Sequence, residues 1–277
     1  MLKNISAIIV LMFACTSLAF EEIKVVLTPA YNVFVRGEAV VVQLELINTG
    51  RDLIDVSAPQ SGSLFIEVYY SDRLQQLKPM VDAPFTKPFQ LNPGAKHISK
   101  IQLDKWFNLL KEGRYFAQLV LLHKGSRYES SRKLIDIVPG IPVLEGVQMF
   151  VGDQTLKRKF KVVRWNRSHM ERVFLRIEDE PNEAVWDTID LGEQLKGSDA
   201  KLDIAENGEV TVIHRTSQDA FHRAVIWSLP QSVEIAERNI LLDPEVTASQ
   251  RVRSLYGDMV EDGPVNPEDK KWWKFWK

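Results

Sequence analysis

The chain has 277 residues, with 35 basic and 37 acidic side chains, 45% apolar residues and a single cysteine. This composition is typical of a folded globular protein and excludes a disordered or collagen-like chain. The near-neutral net charge of −2 excludes a whole-molecule polyanion binder, and the length allows one or two domains.

The first segment, residues 1–19, has the features of a secretory signal peptide. Lys3 supplies a positive start, residues 8–14 form a short apolar stretch, and small residues precede a cleavage site after Ala19. The apolar stretch is shorter than the ~20 residues that span a bilayer. We therefore expect export into the periplasm or cell envelope of a bacterium. Lipoprotein processing at Cys15 is the alternative, whereas cleavage after Ala19 removes the only cysteine and excludes disulfides.

Residues 23–139 contain short apolar runs at regular spacing. The clearest run is residues 40–47, in which Val40, Val42, Leu44 and Leu46 occupy alternate positions. A period of two predicts a half-buried strand, and turn residues follow each run. About seven such strands in ~115 residues, without intervening helices, favour an antiparallel β-sandwich over a parallel sheet.

One stretch of this region carries a family resemblance. It consists of Asn92-Pro93-Gly94, a strand over residues 96–103, the aromatic turn Asp104-Lys105-Trp106-Phe107, and Glu112-Gly113-Arg114-Tyr115. This order resembles bacterial immunoglobulin-like modules, and the resemblance implies an immunoglobulin-like β-sandwich for residues 23–139. It implies a fold type and no function. The cysteines and tryptophan spacing of antibody domains are absent, which excludes a domain of that type.

Residues 139–142, Pro-Gly-Ile-Pro, predict a domain boundary. Residues 143–242 are again rich in strand patterns, and Asn207-Gly208 between two alternating runs predicts a two-residue β-hairpin. A β-propeller needs at least ~4 blades of ~40 residues, more than this region holds. The predicted fold class is therefore all-β, with two tandem antiparallel, Ig-like β-sandwich domains, a short C-terminal helix and a flexible tail.

The predicted helix covers residues 243–257. Asp243 caps it, Pro244 occupies its first position, and apolar residues at helical spacing form a stripe. That stripe comprises Val252, Leu255, Tyr256 and Met259. Residues 258–269 are acidic and contain two prolines, which predicts a solvated linker.

The last eight residues combine aromatic and basic side chains. They are Lys270, Lys271, Trp272, Trp273, Lys274, Phe275, Trp276 and Lys277. On a helical wheel the lysines and aromatics fall largely on opposite sides, and both types anchor segments at bilayer interfaces. We predict that the aromatics insert into a membrane surface or a partner's groove while the lysines meet anionic groups. Docking onto the protein's own body is the alternative.

No catalytic or metal-binding motif occurs in the sequence, so we expect a protein that is not an enzyme and holds no metal or cofactor. His214 and His222 flank a turn that contains Asp219, but strand histidines more often have a structural role. Acidic residues around positions 178–187 supply oxygens suited to Ca²⁺ without the spacing of a known loop. A solvated turn explains them as well.

A basic strand precedes that acidic turn. Phe160 and Trp165 are surrounded by basic residues, which predicts a contact with an anionic surface through Lys157, Lys159, Lys161 and Arg164; Arg158 and Arg167 belong to the same basic run. The alternative is a balanced face whose lysines pair with the acidic residues. Secretion argues against nucleic acid as the partner.

These observations predict a non-enzymatic interaction protein of the cell envelope, whose partner is an envelope protein or an anionic membrane surface. A soluble carbohydrate- or peptide-binding module, with inhibitor-like loops as one form, is the second hypothesis. Exposure of Trp106 or Trp165 would favour that second hypothesis over burial of both rings in a core.

Overall fold

A computed structural model describes residues 22–56, 63–71, 75–150, 156–180 and 184–243. These residues form nineteen β-strands and include a 3₁₀ turn at Leu103–Lys105. The predicted all-β fold is confirmed. The predicted signal peptide (residues 1–19), linker and tail (258–277) lie outside the described residues, as does the predicted helix (243–257) except for Asp243.

The first half of the chain folds into two main sheets, with β4 and β7 forming a separate two-stranded ladder. One main sheet has the order β1-β3-β8, and the other has the order β2-β11-β9-β5-β6 with β10 also paired to β9. All pairings are antiparallel except β2 with β11, which is parallel. The strands are β1 (Ile23–Pro29), β2 (Val33–Val35), β3 (Val41–Asn48), β4 (Ile54–Asp55), β5 (Ser63–Tyr70), β6 (Gln75–Gln76), β7 (Gln90–Leu91), β8 (Lys96–Gln102), β9 (Gly113–His123), β10 (Ser126–Glu129) and β11 (Lys133–Val138).

The core of this first sandwich follows from the alternation in β3. Val42, Leu44 and Leu46 are buried while the residues between them are half-buried, as the period-two pattern predicts. They pack in one cluster with buried residues of β9 and β11, including Leu119 and Ile135. Two sheets that share one apolar cluster in this way form a β-sandwich.

The second half of the chain folds into two four-stranded antiparallel sheets, β12-β13-β14-β15 and β16-β17-β18-β19. Each sheet is a simple meander in which consecutive strands are neighbours. The strands are β12 (Ile141–Phe150), β13 (Leu156–Arg167), β14 (Met170–Glu180), β15 (Ala184–Glu193), β16 (Ala200–Ile204), β17 (Glu209–Arg215), β18 (Ala220–Leu229) and β19 (Ser232–Leu242). Buried residues of both sheets, such as Phe160 and Ile226, meet in one cluster and form the second sandwich.

The sequence located most of these strands but not all of their details. The Asn207-Gly208 hairpin is confirmed by the pairing of Ile204 with Val210, but three residues rather than two form its loop, because the Ala205 amide bonds the Glu209 carbonyl. Gly208 takes the left-handed conformation there, with φ +90°. Strand β19 was not predicted, because its middle is charged and a bulge breaks its alternation.

Candidate functional site

The two sandwiches meet through the outer face of the sheet β12-β13-β14-β15. Side chains alternate along β13, so Phe160 and Val162 point into the second core and Val163 and Arg167 point outward. Val163 and Phe174 pack with Val35 of β2 in a small apolar cluster between the sandwiches. The first sandwich therefore buries part of a sheet face that would otherwise face water.

A buried ion pair anchors this contact. The guanidinium of Arg167 donates to both carboxylate oxygens of Glu38, at 2.9 and 2.6 Å, and both residues are less than a tenth exposed. The ring of Tyr31 lies 4.0 Å from the guanidinium carbon. Glu38 also accepts a bond from the amide of Val35. Such a bidentate, doubly supported pair fixes the orientation of its two partners.

The backbone of residues 36–37 approaches β15 closely. The Thr188 hydroxyl donates to the Arg36 carbonyl at 2.8 Å. Gly37 has φ +82°, and a Cβ placed on it would lie 2.5 Å from a methyl group of Val185. Glycine is therefore required here both by the backbone conformation and by the space between the two sandwiches.

A cleft opens beside this contact, and we call it the interdomain cleft. Its volume is about 330 Å³, within the range of small-ligand sites. It lies between the β2–β3 turn, the segment that follows β8, and the start of β15. Its lining residues are Gly37, Glu38, Ala39, Met80, Gln102, Asp104, Phe107, Asn108, Leu109, Leu110, Val185, Trp186 and Asp187. Apolar walls thus alternate with three carboxylates, and no basic residue belongs to this described lining.

Trp186 forms a fixed wall of the interdomain cleft. Its indole N–H donates to Asp179, and the guanidinium of Arg158 lies 4.5 Å from its ring centre. Arg158 is itself fully buried and binds Asp179 through two nitrogens, at 2.7 and 3.2 Å. Trp186 is nevertheless 44% exposed, so a held aromatic ring remains available for contact.

Two carboxyl groups give the interdomain cleft its polarity. Asp104 accepts bonds from the Val40 amide and from the Gln102 side chain, both at 2.7 Å. Asp187 is exposed, yet partial burial of its carboxyl raises the pKa. The negative charge of Asp104 also raises this pKa, whereas the hydrogen bond from the Thr188 amide and the charge of Arg238 lower it without reversing the shift. A cationic group placed between these carboxyls would relieve that repulsion.

The three lysines of the basic strand, Lys157, Lys159 and Lys161, lie on the outer face of the same sheet beside acidic residues of β14, whereas Arg164 lies on the core-facing side, opposite Val173. Lys159 pairs with Glu180, Lys161 with Glu178 at 2.7 Å, and Arg164 with Glu171 at 3.3 Å. Lys157 is exposed and lies opposite Glu180 in the strand register. This arrangement has the balanced charge of the alternative interpretation, and the anionic-surface contact stays a prediction.

The acidic residues proposed as calcium ligands have basic partners as well. Glu178 is buried and contacts Lys161 and Arg176. Burial alone would raise the pKa of Glu178, but the hydrogen bond from Lys161 and the neighbouring cationic charges lower it. In the described part of the chain, no group of three or more His, Cys, Asp or Glu residues is placed to hold a metal ion.

His214 and His222 face each other across β17 and β18, with ring centres 5.2 Å apart. His214 is fully buried and neither of its ring nitrogens has a hydrogen-bond partner within bonding geometry. Burial, with a smaller contribution from His222, lowers the pKa of His214 to about 4. Both rings belong to the interior of the second sandwich, and Asp219 lies in the turn beyond them.

Trp106 and Trp165, whose exposure would favour a carbohydrate- or peptide-binding module, are both partly buried. Trp106 packs against the first core and edge-on to Phe85, and Trp165 packs against the apolar cluster between the sandwiches. Neither is among the exposed large apolar residues, whereas Trp186 and Trp227 are. The eight tail residues, Lys270 to Lys277, lie outside the described residues, so their contacts stay a prediction.

No protein-family model matches this chain, and no curated protein is significantly similar to it. Within the described ranges, no helix is long and apolar enough to cross a bilayer.

Proposed function

We propose that this chain is a non-enzymatic interaction protein of the bacterial cell envelope that binds a basic, partly apolar peptide segment in the interdomain cleft. The observation that carries this proposal is the lining of the interdomain cleft, which combines a held aromatic ring with carboxylates and no basic residue. A lysine or arginine side chain meets the carboxylates there, and its apolar neighbours meet the exposed side chains of Trp186 and Met80.

The buried contact between the sandwiches supports a binding role. Because Arg167 and Glu38 hold the two bodies together, the walls of the interdomain cleft keep their spacing without a ligand. A preformed site loses less conformational entropy when it binds. The cleft therefore has the rigidity that a recognition site uses.

The C-terminal segment supplies the second part of the proposal. Lys270 to Lys277 contact the anionic inner-membrane surface or a membrane-associated partner and thereby hold the folded body near its targets. Export by residues 1–19 would place the body in the periplasm. Each lysine near an anionic surface contributes about 1 kcal/mol, so this contact is reversible.

Peptide selection tests the cleft proposal. A display library of random heptapeptides is panned on the exported chain, and the selected peptides are measured against Trp186→Ala and Asp187→Asn. We expect enrichment of Lys or Arg beside aliphatic or aromatic residues, and at least a tenfold loss of affinity in either variant. The matched controls are Trp227→Ala and Asp203→Asn, which change exposed residues of the opposite sheet. Selection of acidic peptides, or equal losses in the controls, would contradict the proposal.

Co-sedimentation with liposomes tests the tail proposal separately. Phosphatidylglycerol-containing vesicles are mixed with the exported chain, with and without residues 270–277, at low and high salt. We expect binding that depends on the tail and weakens with salt. Absence of binding by both forms would direct the tail to a protein groove instead.

A carbohydrate is the second candidate ligand for the interdomain cleft. The fixed ring of Trp186 beside Asp104 and Asp187 offers the stacking surface and hydroxyl acceptors that a sugar needs. Binding to a glycan array that is lost in Trp186→Ala, without any enrichment of basic peptides, would favour this candidate.

A further inference from the structure

The second sandwich is closed along one flank and open along the other. On the closed flank β12 and β16 come so close that a Cβ on Gly146 would lie 2.5 Å from Ile204. On the opposite flank lie β15 and the edge strand β19. Val233, near the start of β19, packs against the second core. We call the exposed remainder of the core-facing side of β19 the open flank, and it consists of Ile235, Arg238, Ile240 and Leu242.

The strand register shows that these side chains face the core. In β18, Ala224 and Ile226 belong to the second core, and residues directly opposite in an antiparallel pair share a face. Ile226 lies opposite Ile235, and His222 lies opposite Ile240. Arg238, opposite Ala224, reaches across and donates to the Asp190 carbonyl of β15 at 3.2 Å. The face that carries Ile240 is therefore the face that points at the other sheet.

These core-facing apolar residues are nevertheless uncovered. Ile235 is 45% exposed, Ile240 62% and Leu242 61%, whereas Ala224 and Ile226 on the next strand are fully buried. Apolar residues on the inner side of a sandwich normally lose most of their contact with water. The described part of the chain thus leaves a strip of its second core without a cover.

We propose that residues 244–259 of the same chain cover the open flank, with their apolar stripe packed on Ile235, Ile240 and Leu242. Chain continuity supports this occupant, because the segment begins two residues after Leu242. Asp243 is fixed beside the strip, since its amide bonds the Asp219 carbonyl at 2.7 Å and its carboxylate bonds Arg215 at 2.6 Å. The stripe Val252, Leu255, Tyr256 and Met259 supplies the apolar surface that the open flank lacks.

If residues 244–259 cover the open flank, the place at which residues 260–277 leave the folded body is fixed. Residues 260–277 then leave the body from the β15 and β19 side of the second sandwich. Covering β19 also blocks an edge strand of eleven residues that would otherwise offer free backbone groups to another chain.

A double-mutant cycle in the full exported chain tests this inference. Ile240→Asn and Leu255→Asn are each expected to lower Tm by about 2–4 °C, and the double variant to lower it by little more than one of them. The control cycle pairs Leu255→Asn with Ile98→Asn, because Ile98 is 49% exposed on the first sandwich. The control losses should add. Additive losses in the Ile240 cycle, or no loss from Leu255→Asn, would overturn the proposal.

Disulfide trapping provides a second readout that does not depend on stability. The only native cysteine, Cys15, lies in the predicted signal peptide, so introduced pairs would be unique after its removal. Oxidation of the Ile240→Cys, Leu255→Cys variant should give a cross-link within one chain, faster than in the Ile98→Cys, Leu255→Cys control. Cross-linked dimers would instead assign the open flank to a second copy, and equal rates in the two variants would overturn the proposal.

Discussion

Strand β13 carries two buried arginines, one of which links the two sheets of the second sandwich and the other the two sandwiches. Arg158 points into the second sandwich and links its sheets, because it binds Asp179 on β14 and the Leu229 carbonyl at the end of β18. Arg167, nine residues further along the strand, points outward and binds Glu38 of the first sandwich. Both are buried, bidentate and stacked against aromatic rings.

The difference between them lies in what each arginine holds together. Arg158 stabilises the interior of the second sandwich and stacks on the ring of Trp186. Arg167 instead fixes the position of one sandwich against the other. The interdomain cleft depends on both arginines. Arg158 contacts the ring of Trp186, and Arg167 binds Glu38, which belongs to the lining of the cleft. Replacing either arginine should lower the free energy of unfolding, because a buried carboxylate then loses its cation. Only the replacement of Arg167 should also uncouple the two sandwiches.

The largest effect should follow from Arg158→Met. This variant leaves Asp179 without its buried cation, and breaking such a pair costs about 3–5 kcal/mol of the free energy of unfolding. Urea denaturation followed by circular dichroism measures the loss. The double variant Arg158→Met, Asp179→Asn should recover part of it, because no unpaired charge then stays buried. A single variant as stable as the parent would show that Arg158 is dispensable for the second sandwich.

Arg167→Met should cost about 3 kcal/mol by the same argument, but it should also uncouple the two sandwiches. Calorimetry is expected to resolve two unfolding transitions where the parent shows one cooperative transition. Glu38→Gln tests the same contact from the other partner and should separate the transitions in the same direction. Two transitions in the parent itself would contradict the coupling.

The buried histidine of the second sandwich predicts a loss of stability in acid. The pKa of His214 is lowered to about 4, so the folded state resists a proton that the unfolded state accepts below pH 6.5. Stability from this group is complete above pH 6.5 and falls by about 2 kcal/mol between pH 7 and pH 5.

The measurement is the free energy of unfolding across that pH range. In His214→Met the slope should flatten, although His222, whose pKa is also lowered by burial, retains a smaller slope. His169→Asn, which changes an exposed histidine, should keep the parent profile. An unchanged slope in His214→Met would rule out His214 as its source.

The smallest effect is expected from the outer face of the same strand. Lys159→Ala breaks only the pair with Glu180, and both side chains are partly exposed, so the loss should stay below about 1 kcal/mol. The same variant should sediment with anionic liposomes as the parent does. A clear loss of liposome binding would support the anionic-surface prediction for Lys157, Lys159, Lys161 and Arg164.

The sequence predicted the parts of the fold that depend on local alternation. Val42, Leu44 and Leu46 were assigned to a core by period alone, and the strand order around the Asn207-Gly208 hairpin followed from turn chemistry. The same alternation places Arg158 inside with Phe160 and Val162, although a charged side chain is seldom fully buried without a partner. A long-range partner such as Asp179 makes burial of that charge possible.

The interdomain cleft could not be predicted from local sequence patterns, because its lining residues are far apart in the sequence. Asp104 and Asp187 are more than eighty positions apart, and only the docking of the two sandwiches places both in the lining of one cleft. Strand β19 was missed for a related reason, because its exposed charges and bulge hide the pairing that β18 imposes. Tertiary contacts decide such features, and no periodicity reports them.

Hydrogen–deuterium exchange of the full exported chain tests the central claim most directly. Exchange is compared with and without a basic heptapeptide from the selection experiment. We predict slower exchange confined to the segments that line the interdomain cleft, which are residues 37–39, Met80, residues 102–110 and residues 184–188. Protection elsewhere, or the same protection in Trp186→Ala, would contradict the assignment of the cleft as the binding site.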